Sequence, residues 1–475
     1  MVFSSLEFIC VFLPVVFILY CMAPGIKTRN ALLVLASLLF YAYGEPVYVL
    51  LMIGSVLVNY LAARAISAYR KHAKWILAAD LAANIAVLGV FKYAGFAVET
   101  LNALLHTAIP VPSISLPIGI SFFTFQAMSY VIDVYRKDVE VQKSFPNVLL
   151  YISFFPQLIA GPIVRYKDIC QAIEDRRQDI GRVAWGFERF IFGLGKKVLI
   201  ANTVGEVADA VFAAEASSVN IAVAWLGAIA YMLQIYYDFS GYSDMAIGLG
   251  EMFGFHFREN FRYPYGAAGM KDFWNRWHIS LSAWFKEYVY IPLGGNRRGK
   301  LRACVNRIIV FFLTGLWHGA SWTFVIWGLW HGFFLLLEEY LPFIRKMPKC
   351  ILRVYTLLVV CLGFVIFRAD TLSQGLYFIS QMFTGTGYTA ETISFAWQQL
   401  TPWFIFIAVI GILGAAPIRP LADRIRSAAH SSATQNTASR TVAQFFLCAA
   451  SLVILCWCII RLSGNTYNPF IYFRF

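Results

Sequence analysis

Charge is scarce in this chain. Asp, Glu, Lys and Arg make up 14% of its 475 residues, where a soluble domain carries about a quarter. That deficit excludes an ordinary soluble fold. Acids are scarcer still, 26 against 39 Lys and Arg. The bases sit between apolar runs rather than in one polar module. This argues against nucleic acid binding and suits a basic face against anionic lipid. Metal-type cysteine spacing is missing too. Nine cysteines are scattered without a Cys-x-x-Cys pair, and Cys456 and Cys458 are too close for a disulfide or zinc site. They read as small buried hydrophobes, and no metal is expected. No alternating apolar pattern is present, which disfavours a β-barrel. Only Glu7, and no base, precedes the first apolar run, so no cleavable signal is expected.

Long apolar runs are plentiful. Apolar residues make up 59% of the chain, and its mean hydropathy is +0.64. "FICVFLPVVFILYCM" (8–22), "YVLLMIGSVLVNYLAA" (48–63) and "ILRVYTLLVVCLGFVIF" (351–367) are examples. A span needs roughly 20 apolar residues to cross a bilayer core, and about ten to twelve candidates can be marked on that basis. The expected fold is all-α: a polytopic integral membrane protein of about 10–12 transmembrane helices with re-entrant or interfacial helices. Lys27 and Arg29 after the first run place the N-terminus outside. One membrane domain covers 1–475, with N-terminal spans in 1–165, a core in 166–340 and C-terminal spans in 341–475. Segment 420–441, rich in Ser, Ala and Thr, reads as a loop.

Residues 258–307 are the most polar part, with ten Lys/Arg and three acids. Within it, "KDFWNRWHISLSAWFKEYVY" (271–290) repeats Phe273, Trp277, Leu281, Trp284, Phe285 and Tyr288 at helical spacing. An amphipathic interfacial helix is expected there. The Gly-rich basic turn "IPLGGNRRGK" (291–300) suits phosphate binding through backbone N–H groups and arginines. A basic cytoplasmic loop touching lipid explains it equally well.

Two histidines stand in apolar surroundings, in the pentapeptide "GLWHG" at 315–319 and again at 328–332. As one helix, 308–340 would reach about 50 Å, well beyond a core of about 30 Å. A break at "GASWT" (319–323), with Ser321 as N-cap, is therefore expected. It puts His318 at a helix end beside Thr314 and Ser321. On a continuous helix, His318 and His331 would point about 220° apart, so a shared pocket or joint metal site is not expected. A buried neutral imidazole is a competent general base. The bland alternative for either ring is a structural histidine bonded to a carbonyl. A second polar cluster, Asp238, Ser240, Ser243 and Asp244, is read either as functional or as helix–helix hydrogen bonding.

"SFFTFQAMSYVIDVYR" (121–136), "FFPQLIAGPIVRY" (154–166), "YYDFSGYSDMAIGLG" (236–250), "FWNRWHISLSAWFKEYVYIPLGGNRRG" (273–299) and "LTGLWHGASWTFVIWGLWHG" (313–332) resemble, in order, the membrane-bound O-acyltransferases (MBOAT), in particular the bacterial alginate O-acetyltransferase branch. The resemblance implies acyl transfer through the membrane. An acyl thioester such as acetyl-CoA enters from the cytoplasm as donor substrate, with no permanently bound cofactor. His318 matches the family's buried catalytic histidine, and His278 matches its second signature position. His278 or Asn275 would stabilise the oxyanion or place the donor. Arg297, Arg298 and Lys300 would bind the donor's phosphates. The implied setting is the bacterial inner membrane and its lipid. The implied partners are an exported acetyltransferase-type protein and, through it, a polysaccharide; nucleic acid is not among them. A D-alanyl transferase acting on teichoic acid, or a transporter, remains as an alternative.

Overall fold

The computed structural model describes residues 1–415, 437–464, 467–468 and 470–471. Helices, many with π or 3-10 turns at their ends, account for all regular structure among the described residues. Five are long and apolar enough to cross a membrane: Tyr48–Ala68, Arg70–Leu105, Ile221–Met252, Lys349–Arg368 and Thr441–Gly464. A sixth counts if Ala390–Gln399 and Pro402–Ala415, bent by 67°, are one span. Other apolar runs of the sequence form shorter or interrupted helices, as at Phe8–Met22. Most of segment 420–441 lies outside the described residues.

The chain divides into two compact units, 1–190 with 245–258, and 191–244 with 259–475. In the first, the helix Ile120–Arg136 is buried on every face from Ile120 to Val134. Several of its polar groups are matched internally, as a low-dielectric interior favours, while Thr124 Oγ1 and the Gln126 side-chain amide have no hydrogen-bond partner among the described residues. Ser121, for instance, accepts from Lys92 Nζ at 3.1 Å. Nearby, Asn59 and Asn84 exchange reciprocal amide bonds of 3.2 and 3.1 Å.

In the second unit, the two pentapeptides lie on the helices Lys300–His318 and Trp322–Tyr340. The expected break is there. His318 ends the first helix, Gly319 is extended, and the Ser321 hydroxyl caps the second by accepting from the Thr323 N–H at 3.3 Å. The pentapeptide is itself Gly-x-x-x-Gly, a spacing that lets helix backbones approach closely. A Cβ on Gly328 would lie 2.3 Å from the Phe311 carbonyl oxygen, and one on Gly315 2.4 Å from that of Phe324. A Cβ on Gly319 would lie 2.2 Å from the Phe324 ring. The repetition in the sequence thus produces a glycine-to-glycine seam. Gly328→Val cannot be absorbed by a rotamer change, because the obstacle is backbone. We expect it to destabilise the hairpin by about 3 kcal/mol, read as a fall in folded protein in the membrane and in its melting temperature. Gly387→Ala, where a Cβ meets nothing within 4 Å, should leave both unchanged.

The nine cysteines are all free, and only Cys361 and Cys458 are buried. The others lie on partly or fully accessible helix faces, which corrects their reading as core residues.

Candidate active site

The segment expected as one amphipathic helix over 271–290 is two short helices, Met270–Trp274 and Ile279–Phe285, the second running into a π turn, Lys286–Tyr290. All six predicted apolar positions are buried, so the periodicity was sound. The continuity was not. His278 interrupts it with φ 43° and ψ 55°, a left-handed conformation that a β-carbon disfavours by about 1–2 kcal/mol. Asn260 holds the interruption in place. Its backbone oxygen accepts from the Ile279 N–H at 3.0 Å. Its side-chain Oδ1 accepts from the Ser280 N–H at 3.1 Å and from the Ser280 hydroxyl at 2.9 Å. Its Nδ2 donates to the Ser243 hydroxyl at 3.2 Å.

That network orients His278. With Nδ2 spent on Ser243, the atom facing His278 Nδ1 at 3.2 Å is the Asn260 oxygen, an acceptor. Nδ1 therefore carries the proton, a tautomer assigned from the surrounding bonds. Nε2 is left as a lone pair, buried and without a hydrogen-bond partner among the described residues. His278 lies outside the apolar spans, and burial pushes its pKa down to about 3, so the ring is neutral in the working range. A neutral Nε2 lone pair accepts hydrogen bonds. It does not supply the donor that oxyanion stabilisation requires, which corrects that part of the expectation.

His318 shares this cluster. Its ring centre is 6.3 Å from that of His278, and both rings touch Trp317, at 5.0 and 5.7 Å. Trp327 at 5.0 Å and Phe367 at 5.4 Å add further walls to His318. The ring sits at a helix C-terminus, where carbonyl ends favour positive charge, the charge a base acquires. Thr314 and Ser321 do not orient it. The Thr314 hydroxyl donates to the Val310 carbonyl at 2.8 Å, and the Ser321 hydroxyl meets only Thr323.

His331 is fully buried, 5.0 Å from Trp327, 5.2 Å from Trp274 and stacked 6.0 Å from Phe273. Neither ring nitrogen has a hydrogen-bond partner among the described residues, so ring contacts hold it rather than a carbonyl. Because the helix breaks, the 220° separation does not apply. Trp327 touches both histidines, and they belong to one aromatic cluster.

The remaining expected residues lie elsewhere. Asn275 is exposed at the end of Met270–Trp274. Arg297, Arg298 and Lys300 are exposed and have no ion pair among the described residues. Their turn is a built one. Gly294, Gly295 and Gly299 have positive φ, and Asn306 Nδ2 donates to the Gly295 carbonyl at 3.1 Å. Two acids of the Ile221–Met252 helix are ion-paired: Asp238 with Lys197 and Asp244 with Lys196, each at 2.6 Å. Ser243 joins the site through Asn260, and Phe239 of the same helix lies 4.6 Å from the His278 ring. Asn260 itself escaped the sequence reading, since a lone Asn in "RENFRYPYG" carries no period and no motif.

A profile of the MBOAT, membrane-bound O-acyltransferase family matches residues 48–369. A probable alginate O-acetylase AlgI of Azotobacter vinelandii is 39% identical over the full length of both chains. A peptidoglycan O-acetyltransferase of Helicobacter pylori is 38% identical over 80% of each. A teichoic acid D-alanyltransferase of Bacillus subtilis is 28% identical over 53% of this chain and 68% of its own.

Proposed function

The chain belongs to the membrane-bound O-acyltransferase family, and from that premise we propose that it moves an acetyl group from a cytoplasmic thioester across a bacterial inner membrane, for O-acetylation of an extracytoplasmic polysaccharide. It is a multi-pass membrane O-acyltransferase, which sets the transporter alternative aside. The two acetyltransferase relatives match most or all of the chain, whereas the D-alanyltransferase matches about half. Acetyl is therefore the group we assign. The observation that carries the reading is the convergence of His318 and His278 in one buried aromatic cluster.

The chemistry follows from the two rings. His318 takes the proton of an acceptor hydroxyl while that oxygen attacks the thioester carbonyl. The carbon–sulfur bond then breaks, and the proton passes from the imidazolium to the departing thiolate. One acetyl ester and one free thiol result. His278 acts through His318 as a positioning residue. Its Nε2 lone pair accepts the N–H of the second ring, directly after a small closure or through one water, as such bonds often tighten only with substrate bound. Asn260, His278 and His318 then form a chain with the logic of a catalytic triad.

The thioester reaches this site from the cytoplasmic face, where Arg297, Arg298 and Lys300 bind its phosphates. A second, exported protein delivers the acetyl group to the polymer. Inverted membrane vesicles, with the cytoplasmic face outward, test both statements. Acetyl-CoA added outside should be consumed, and Arg297→Glu/Arg298→Glu should raise its KM about tenfold, on the order of 1–1.5 kcal/mol for two lost charged contacts, with kcat little changed. Consumption only in right-side-out vesicles would sink the donor assignment. Polymer acetylation by the purified chain alone would sink the partner.

A further inference from the structure

The second unit contains a cleft of about 540 Å³ whose lining includes neither His278 nor His318. Trp225 and Leu233 line one wall, Arg353, Leu358 and Cys361 a second, and Ile412 a third. Its polar atoms are already engaged. The Tyr265 hydroxyl donates to the Met232 carbonyl, and Trp225 Nε1 donates to the Met382 carbonyl at 2.9 Å. The buried interior therefore offers a guest almost nothing but apolar contact, and a polar ligand would lose its hydration without compensation.

One charge breaks this uniformity. Arg353 lies in the second turn of Lys349–Arg368, exposed and without an ion pair among the described residues. Lys349 stands one turn before it on the same face, also exposed. From Arg353 to Cys361 the helix rises about 12 Å, so the apolar wall continues straight from the cationic mouth. A guest must have an anionic end and a hydrocarbon body of comparable length. In a membrane protein the molecule that meets this description at high local concentration is a phospholipid.

We propose that this cleft is a binding site for one acyl chain of an anionic phospholipid, with the headgroup phosphate on Arg353 and Lys349. The hydrocarbon fills the three-helix cleft and contributes roughly 25 cal/mol for each Å² of apolar surface it covers. The guanidinium selects the anionic headgroup by a charge-assisted hydrogen bond.

The test is native mass spectrometry of the full chain, purified in mild detergent, delipidated and titrated with phosphatidylglycerol or phosphatidylcholine. The chain should take up one phosphatidylglycerol in preference to phosphatidylcholine. Arg353→Glu should cut the preference about fivefold or more, as expected for a basic residue at a lipid surface. Leu358→Trp, at a partly exposed position, fills the cleft and should abolish the specific adduct while thermal stability without lipid stays unchanged. Ile229→Trp, on the same lining, guards against a local failure of the first variant. Equal lipid uptake by both tryptophan variants and the parent chain overturns the site. Equal affinity for the two lipids overturns the role of Arg353. Failure of either leaves the acyl-transfer reading untouched, because none of these residues belongs to the histidine cluster.

Discussion

His318→Ala should reduce polymer acetylation per folded molecule by about 10²–10⁴-fold, the usual worth of a general base. The ring ends the Lys300–His318 helix beside the Gly319 break, away from its own helix interior, so the cavity left against Trp317, Trp327 and Phe367 is expected to cost less folded protein than the one left by His331. His331→Ala should give the opposite pattern. His331 lies wholly inside the cluster of Trp274, Trp327 and Phe273, so truncation opens a cavity and costs about 2 kcal/mol or more of stability. Protein level in the membrane should fall, and activity per folded molecule should stay within about threefold of the parent, since no proton-transfer term is lost. Acetylation normalised to folded protein separates the two. A His331→Ala protein that is abundant but inactive, beside an active His318→Ala, would show that the base had been assigned to the wrong copy of the pentapeptide.

His278→Ala should cost about 10²–10³-fold in kcat, because without the Nε2 acceptor the catalytic ring loses the bond that selects its tautomer. The informative variants are at Asn260. Asn260→Asp keeps an acceptor opposite Nδ1 and should retain most of the activity. Asn260→Leu leaves Nδ1 and the Ser280 N–H without their acceptor, which costs about 1–3 kcal/mol of stability, and it frees His278 to exchange tautomers. Its kcat should fall at least tenfold beyond any loss of folded protein, with the KM for the thioester unchanged. The pH profile adds a second readout. Burial holds the His278 pKa down at about 3, so the ring stays neutral from there upward. An acid limb between pH 5 and 7 must come from another group and should survive in His278→Gln. If that limb vanished in His278→Gln, the neutral-acceptor role would be untenable.

Much of this was legible in the residues. The helical class, the membrane and the break between the two pentapeptides all follow from the length and polarity of apolar runs, and Ser321 caps where expected. The buried stripe of Phe273, Trp277, Leu281 and Trp284 was visible as a period. What stayed hidden depends on contacts across the chain. Nothing local marks His278 as left-handed, since Asn260, eighteen positions earlier, holds it there. His318 and His331 are not set about 220° apart, because one helix ends at His318 and the next starts at Trp322. The glycine spacing within "GLWHG" is plain in the sequence, but its packing role depends on the second helix lying against the first, as at Gly315 and Gly328. Asn275, whose role rested on the resemblance, lies on the surface at the end of Met270–Trp274, on the face turned away from Phe273 and Trp274.

The Glu338 carboxylate Oε1 accepts the Met270 N–H at 2.6 Å, at the start of the short helix that leads to His278. The Trp322–Tyr340 helix thus has His318 just before one end and Glu338 near the other, a rise of about 24 Å. It works as a ruler. Side chains along its outer face can change without moving either mark. A single inserted or deleted residue between 322 and 338 would turn Glu338 by about 100° and shift it about 1.5 Å, pulling the anchor of the His278 segment away while His318 stayed put. In this stretch the number of residues is constrained more tightly than their identity. A redesign that respects the count has wide freedom on the lipid side, and one that ignores it loses the spacing between the two rings.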